Sequence, residues 1–483
     1  MKAKLGLALI YSLVLMLFTP LSVYGDVNKA ELKELVDGYA SKQGFSGTVL
    51  IARGGEILVE ASYGEADIEW GVPNTPSALY RIGSLSKPLT ATLVMALVED
   101  GILSLDGTLA DYLPDIYGGT PVAGVTVAQL LSHLSAIQDV PGNYNDPWWQ
   151  TVARQSFAPE IFAREWIKPT LNGTPGERWR YNNSGFYLLG VIVERVTGKS
   201  YAENLQTHIF GPAGMQNSGV YSNEAILKGL AQGYSRDAKG DYIKPLHIDA
   251  SVSYAAAGVY SSARDIYRFD RALYGDALLS AENRTNMLTA KTAFPYGFGW
   301  GVEHWDLSGG VVLDVVSHTG SIPGYQSYYL RSEAAQDCVI VLNNKNQGGL
   351  VIQMGQDLMR VLNGKHSLAA FLMPINETQG TAAMVAAFEN LGDDRSRYDV
   401  SESQMNRLGY RFLRGKHLES AIAVFRWNTE LYPNSSNTFD SLGEAYRTAG
   451  QKEKAIESYQ KALALAPESP SATAALKELG ANK

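Results

Sequence analysis

Ser84-Leu85-Ser86-Lys87 carries the first chemistry visible in the chain. On a helix, Ser-x-x-Lys places a hydroxyl and an amine one turn apart on one face. Serine is a weak nucleophile until a base takes its proton. Lysine can act as that base only if its pKa falls, and burial against apolar neighbours such as Leu85 and Leu89 has that effect. Downstream, Tyr181-Asn182-Asn183-Ser184-Gly185 offers a phenol able to relay protons. Its Asn183 can hydrogen-bond a substrate amide or steady the lysine. Third comes His318-Thr319-Gly320-Ser321. A glycine in a strand lets a substrate backbone approach closely, and N–H groups there can help form an oxyanion hole. Each motif alone has a plainer reading. Ser-x-x-Lys recurs in solvated turns, Asn-Asn-Ser-Gly favours a turn in any protein, and His-Thr-Gly fits a strand end.

These segments need elements to hold them. Residues 45–63 pattern as a hairpin, with Thr48–Ala52 and Ile57–Val59 flanking Gly54-Gly55. From Ser84 to Asp100 the apolar positions Leu85, Leu89, Leu93, Ala96 and Leu97 follow helical spacing, and Gly101 closes the run. The middle holds helical pieces such as 186–196 between turns rich in Gly and Pro. Strand patterns return at Val311–Val316, Tyr325–Arg331 and Cys338–Asn343, and a helix pattern covers 350–362. Strands at both ends and helices between predict an α+β fold: one antiparallel sheet with helices packed on it.

The C-terminal region changes character. Leu408-Gly409 recurs at Leu442-Gly443, Ala421 at Ala455, Phe425 at Tyr459 and Pro433 at Pro467, each 34 residues apart (442 − 408, 455 − 421, 459 − 425, 467 − 433). That period, with small residues where helices approach and proline at the turn, is similar to tetratricopeptide repeats. It predicts a small all-α module over 401–483, after a connector at 366–400. Segments 378–391 and 471–479 are expected to supply flanking helices, and the module to pack partly on the preceding domain.

The chain has 483 residues and a formal net charge of −8, which disfavours a nucleic-acid partner. Lys2 and Lys4, an apolar stretch from Leu5 to Phe18 and small residues ending at Gly25 read as a secretory signal peptide over 1–25. The mature protein is then exported, periplasmic or extracellular, with no stable membrane anchor. The single cysteine, Cys338, excludes an internal disulfide and reads as part of a buried strand. The seven histidines show no metal-ligand spacing, so no metal or cofactor is expected. His133 reads as structural, and Trp148 and Trp149 as packing or cleft residues. Asp270 and Asp314 have no partner visible in sequence.

The order Ser-x-x-Lys, Tyr-x-Asn, His-Thr-Gly resembles the serine β-lactamase and penicillin-binding superfamily. The nearest likeness is to the branch holding class C β-lactamases, D-alanyl-D-alanine carboxypeptidases, D-aminopeptidases and family VIII esterases. Further segments carry the likeness, among them Gly101–Asp106, Val127–His133, Pro175-Gly176, Gly211–Met215 and Ala257–Asp265, so that it spans about 45–345. The resemblance implies a β-lactamase-like hydrolase domain over 26–365. It implies that Ser84 forms an acyl-enzyme that water hydrolyses, with Lys87 and Tyr181 sharing the general-base duty. Asn183, His318, Thr319 and Gly320 would bind substrate, and the N–H groups of Ser84 and Ser321 would form the oxyanion hole. Two positions depart from the pattern. His318 stands where many β-lactamases carry a lysine, a fixed cation for a substrate carboxylate, whereas histidine is largely neutral at neutral pH. Ala136, in His133-Leu134-Ser135-Ala136, stands where the family usually has glycine, and is expected to shift that turn without removing chemistry. Small esters, amides and D-amino-acid peptides are thus favoured substrates over a β-lactam. The alternative to an enzyme is a binding protein that recruits a partner through the repeats.

Overall fold

Glycine pairs and β-branched runs set the sheet. Strand β1 (Gly47–Arg53) turns at Gly54-Gly55, both at positive φ, into β2 (Glu56–Tyr63). The computed structural model describes residues 28–141 and 145–481; the segment read as a signal peptide lies outside them. Four later strands, β3 (Gly301–Leu307), β4 (Val311–Ile322), β5 (Tyr325–Ser332) and β6 (Asp337–Asn343), complete a six-stranded sheet in the order β3-β4-β5-β6-β1-β2. Every neighbouring pair is antiparallel. N- and C-terminal strands thus meet at β1 and β6, with Gly47 opposite Asn343 and Ala52 opposite Cys338.

These central strands are apolar without alternation because both faces are covered. Leu50, Ala52, Ile340 and Leu342 face one core with Leu85 and Leu89. Val49, Ile51, Val339 and Val341 face a second core with α1 (Lys29–Gln43) and a helix over Leu350–Leu362. The first core is the large one. It holds α2 (Ser86–Glu99), α3 (Asn183–Thr197) and α4 (Ala250–Ala257). Helix α2 is buried over most of its circumference, its polar Ser86, Lys87, Thr90 and Thr92 included.

After α5 (Leu350–Leu362), the segment read as a connector forms two helices, α6 (Leu368–Gln379) and α7 (Thr381–Asn390). Their Leu372, Met384 and Phe388 share one core with Leu408, Phe412 and Phe425, so apolar burial, not linker composition, governs this stretch. The repeat region follows as α8 (Glu402–Arg414), α9 (Leu418–Leu431), α10 (Ser436–Thr448), α11 (Lys452–Leu465) and α12 (Pro470–Glu478). The 34-residue pairs now have a steric reason. A Cβ on Gly409 would lie 2.5 Å from the Phe425 ring, and one on Gly443 would lie 2.9 Å from Tyr459. The helices close only because these positions lack a side chain. Arg360 of α5 joins the two regions: it donates to Asp357 (3.3 Å) and to Asp399 (3.1 Å), all three buried. Ser308 adds a hydrogen bond to the Tyr398 carbonyl (2.7 Å).

Candidate active site

Ser84 sits in a single 3-10 turn, Gly83–Leu85, that leads into α2. The turn packs backbone to backbone against β4, and two glycines allow it. Gly83 has φ +55°, and a Cβ there would lie 2.8 Å from the Ser321 nitrogen. A Cβ on Gly320 would lie 2.0 Å from the Ile82 carbonyl oxygen. Ser327 on β5 donates to that same carbonyl (2.8 Å), fixing the turn to the sheet. The register of β3 with β4 ends at Gly301 opposite Ser317, while β5 follows β4 to Ile322. Residues 318–322 therefore present a β4 edge beyond β3, and the Ser84 turn lies against it.

Lys87, one helical turn on, is fully buried. Its Nζ lies 3.3 Å from Ser84 Oγ, 2.8 Å from Asn183 Oδ1 and 2.9 Å from the Ala256 carbonyl oxygen. Burial removes water from the ammonium form and lowers the pKa to about 7, against a smaller opposing pull from the Asp139 carboxylate. The Ala256 carbonyl reaches the amine because α4 is broken at Tyr254, whose φ of 34° and ψ of −131° are not helical.

Asn183 stands at the first turn of α3. Asp139 holds that turn: it accepts from the Asn183 N–H (3.0 Å), the Ser184 N–H (2.8 Å) and the Ser184 hydroxyl (2.6 Å). A carboxylate at a helix N-terminus is favoured by the backbone dipoles there. Tyr181 precedes α3, partly exposed, with its ring centroid 4.7 Å from Lys87 Nζ. The Tyr181 ring therefore stands beside the amine. His133 packs on it at 4.4 Å between centroids, and His133 Nδ1 accepts the Asn182 N–H (3.1 Å). Burial lowers the His133 pKa well below the usual range, so the ring is a neutral spacer, as its structural reading anticipated.

His318 on β4 is also buried. Its Nδ1 lies 2.6 Å from the Thr319 carbonyl oxygen and its Nε2 lies 3.1 Å from Tyr296 Oη. A carbonyl only accepts, so Nδ1 carries the proton; in the neutral ring Nε2 then accepts from the tyrosine. Burial first and Lys87 second push its pKa down to about 3. Thr319 and Ser321 are exposed on the same edge.

Residues 32–360 match the family described as Beta-lactamase. The chain belongs to the β-lactamase family. Residues 437–469 match the Tetratricopeptide repeat. Penicillin-binding protein 4* of Bacillus subtilis (strain 168) is 32% identical, over 66% of this chain and 72% of that protein. The Teichoic acid D-alanine hydrolase of Staphylococcus aureus (strain MRSA252) is 26% identical, over 48% of this chain and 55% of that protein. A penicillin binding protein from Bacillus halodurans has a similar solved structure, with TM-score 0.59 and 26% identity, over 68% of this chain and 98% of that one. The family consists of serine hydrolases, and the β-lactamase-like fold and tetratricopeptide region expected from sequence are both present.

Seen as a β-lactamase-family site, the sequence motifs converge: Ser84, Lys87, Asn183 and Tyr181 meet at one amine, and His318, Thr319, Gly320 and Ser321 form the facing edge. Ala136 keeps the left-handed conformation that glycine would favour there (φ +53°), and its carbonyl accepts from the Asn172 N–H (2.7 Å). Trp148 packs with Trp149, Phe162 and Trp166, and Trp149 donates from its indole N–H to the Pro141 carbonyl (2.7 Å). Asp270, partnerless in sequence, accepts from Arg331 (2.8 Å) and Tyr329 (2.7 Å) in the core, and Asp314 pairs with His304 (2.8 Å). Three site residues escaped sequence reasoning. Asp139 and the Ala256 carbonyl had no local signal. Tyr296 lies in the run Ala293-Phe294-Pro295-Tyr296-Gly297-Phe298-Gly299-Trp300, whose aromatic and glycine density is a mark that could have been followed.

Proposed function

We propose that this serine hydrolase cleaves small esters, amides or D-amino-acid peptides through an acyl-enzyme on Ser84, and favours substrates with no carboxylate beside the scissile bond. The observation that carries this reading is the Lys87 environment. A neutral amine has two N–H bonds and one lone pair. Asn183 Oδ1 and the Ala256 carbonyl take the two N–H bonds, at 2.8 and 2.9 Å, and the lone pair is left toward Ser84 Oγ. Lys87 then takes the serine proton as Oγ attacks the carbonyl carbon. The N–H groups of Ser84 and Ser321 stabilise the oxyanion. The Tyr181 phenol, beside the ammonium so formed, passes the proton to the leaving group. Water enters by the reverse proton path and frees the enzyme. Asn183 Nδ2 meets the substrate amide, and Thr319 and Gly320 receive its backbone along the β4 edge.

His318 supports the preference against a carboxylate, because both ring nitrogens are engaged in a neutral state. The Staphylococcus aureus relative is named for hydrolysis of D-alanine on teichoic acid, which fits a D-aminoacyl ester as one substrate. Export to the cell envelope, and a protein partner on the repeat helices, belong to the same proposal.

The test is turnover of p-nitrophenyl acetate, D-alanine p-nitroanilide and nitrocefin by the native protein and by Ser84→Ala. Hydrolysis of the ester or anilide, lost in the variant, is expected. Equal rates for both proteins on all three substrates would sink the reading, and nitrocefin turnover matching that of the ester would move it to a β-lactamase.

A further inference from the structure

His133 touches Arg180, Tyr181 and Asn182 in turn. It follows the short helix Val127–Leu131 with a left-handed backbone (φ +59°) and a buried side chain. Its carbonyl accepts from the Arg180 N–H (3.0 Å) and its Nδ1 from the Asn182 N–H (3.1 Å). Asn182 is tied again by its own side chain, which donates to the Ile137 carbonyl (2.7 Å) and accepts from the Gly185 N–H (2.6 Å). The backbone on either side of Tyr181 is therefore fixed, and the direction of its ring is left to the face it leans on. That face is His133, at 4.4 Å between centroids. Among the described residues no ring lies nearer to Tyr181: His318 stands at 6.2 Å and Trp179 at 6.5 Å. Tyr181 is 38% exposed, so the interior meets only part of its side chain.

His133 is a costly residue to keep there. A side chain with a Cβ is disfavoured at that φ. Burial keeps the ring neutral, and because Nδ1 accepts, the proton sits on Nε2. That buried N–H has no hydrogen-bond partner among the described residues. Its surroundings are the rings of Phe186 (5.1 Å), Tyr296 (4.9 Å) and Trp179 (5.9 Å). An apolar side chain would avoid the orphaned donor. It would also lose the Asn182 acceptor that accompanies the flat face. Strain held beside a reacting group points to a role in placing that group.

We infer that His133 is a positioning residue for the leaving-group proton: its ring face holds the Tyr181 ring beside the Lys87 amine, 4.7 Å away. This rests on the reading of Tyr181 as the group that passes the proton to the leaving group. As the bond from Ser84 Oγ to the carbonyl carbon forms and the ester C–O bond breaks, p-nitrophenolate departs as an anion. Ethoxide instead needs a proton and departs as ethanol. That proton starts on Ser84 and travels by way of Lys87 and Tyr181. A misplaced Tyr181 ring therefore harms an ethyl ester far more than a p-nitrophenyl ester.

The test is kcat/KM on p-nitrophenyl acetate and on ethyl acetate, which share one acyl group. Their ratio, taken on one preparation, cancels the folded fraction, so loss of stability alone does not move it. His133→Asn keeps an acceptor, since the asparagine Oδ1 stands as far along the side chain as Nδ1, but removes the ring face. The ratio of p-nitrophenyl to ethyl ester is expected to rise about tenfold in this variant. Tyr181→Phe is expected to raise it at least as much, and the double variant no further. His133→Phe restores a ring face without the acceptor and is expected to bring the ratio back toward the native value. A native ratio in His133→Asn, or two rises that multiply in the double variant, would refute the inference. A native ratio in Tyr181→Phe would instead strike Tyr181 as the proton donor. The ¹³C relaxation of the Tyr181 ring, assigned by the signal lost in Tyr181→Phe, then judges the placement by itself. Its order parameter is expected to fall in His133→Asn, and an unchanged value would overturn the role of His133.

Discussion

Replacing Lys87 with methionine tests the neutral amine directly, through stability rather than turnover. Bringing a lysine from its ordinary 10.5 to about 7 corresponds to about 5 kcal/mol at about 1.4 kcal/mol per pH unit. The side chain is fully buried, so solvent screening does not reduce this figure. The sign follows from proton counting. Between pH 7 and 10.5 the unfolded chain holds the lysine proton and the native chain does not. The unfolded state therefore binds more protons, and native stability climbs as pH rises through that window. Below about pH 7 the whole penalty is present; above 10.5 it is gone. Methionine has no such term. It does leave Asn183 Oδ1 and the Ala256 carbonyl without a donor, at about 1–3 kcal/mol each, so the net effect at neutral pH is small. The pH dependence is the clean signature. Integrating the two-state titration, native stability should gain about 2.5 kcal/mol on Lys87→Met between about pH 7.5 and about pH 9.5. Urea unfolding of both proteins at several pH values, with m held equal, measures it. A difference that stays flat across the window would mean that Lys87 is charged in the native state, and the base assignment would fall with it.

Three further outcomes are expected. The kcat/KM of the native enzyme on a neutral ester should rise with pH to a plateau, with its inflexion near 7, because only the neutral amine takes the serine proton; Asp139→Asn removes a charge that favours the ammonium and should move the inflexion down, an upward move being contrary. Gly320→Ala puts a Cβ 2.0 Å from the Ile82 carbonyl and should spread the oxyanion donors, lowering kcat by about 10²-fold or more while Lys87 keeps its titration; near-native kcat would exclude the Ser84–Ser321 pairing. Arg360→Ala leaves Asp357 and Asp399 buried without their cation and should cost about 3–5 kcal/mol, seen as faster limited proteolysis between 366 and 400; unchanged cleavage would show that this contact does not hold the repeat helices.

Local periodicity made much of the fold legible from the chain alone. The hairpin, α2, the three C-terminal strands and the 34-residue repeat each announce themselves within a few dozen residues, because side-chain spacing and turn glycines act at that range. The same holds for the serine, lysine, tyrosine, asparagine and histidine of the site, whose types and order name the chemistry. What they do once gathered is another matter. The Lys87 pKa depends on burial, in a site closed partly by Asn183 and Ala256, 96 and 169 residues away. Asp139 acts only because α3 begins beside it, and His318 is neutral because the closed interior buries it beside Lys87. Protonation states are set by desolvation and by the partner at each polar atom. Both are properties of a closed interior, so the sequence alone determined which groups are present and tertiary structure decided which of them are charged.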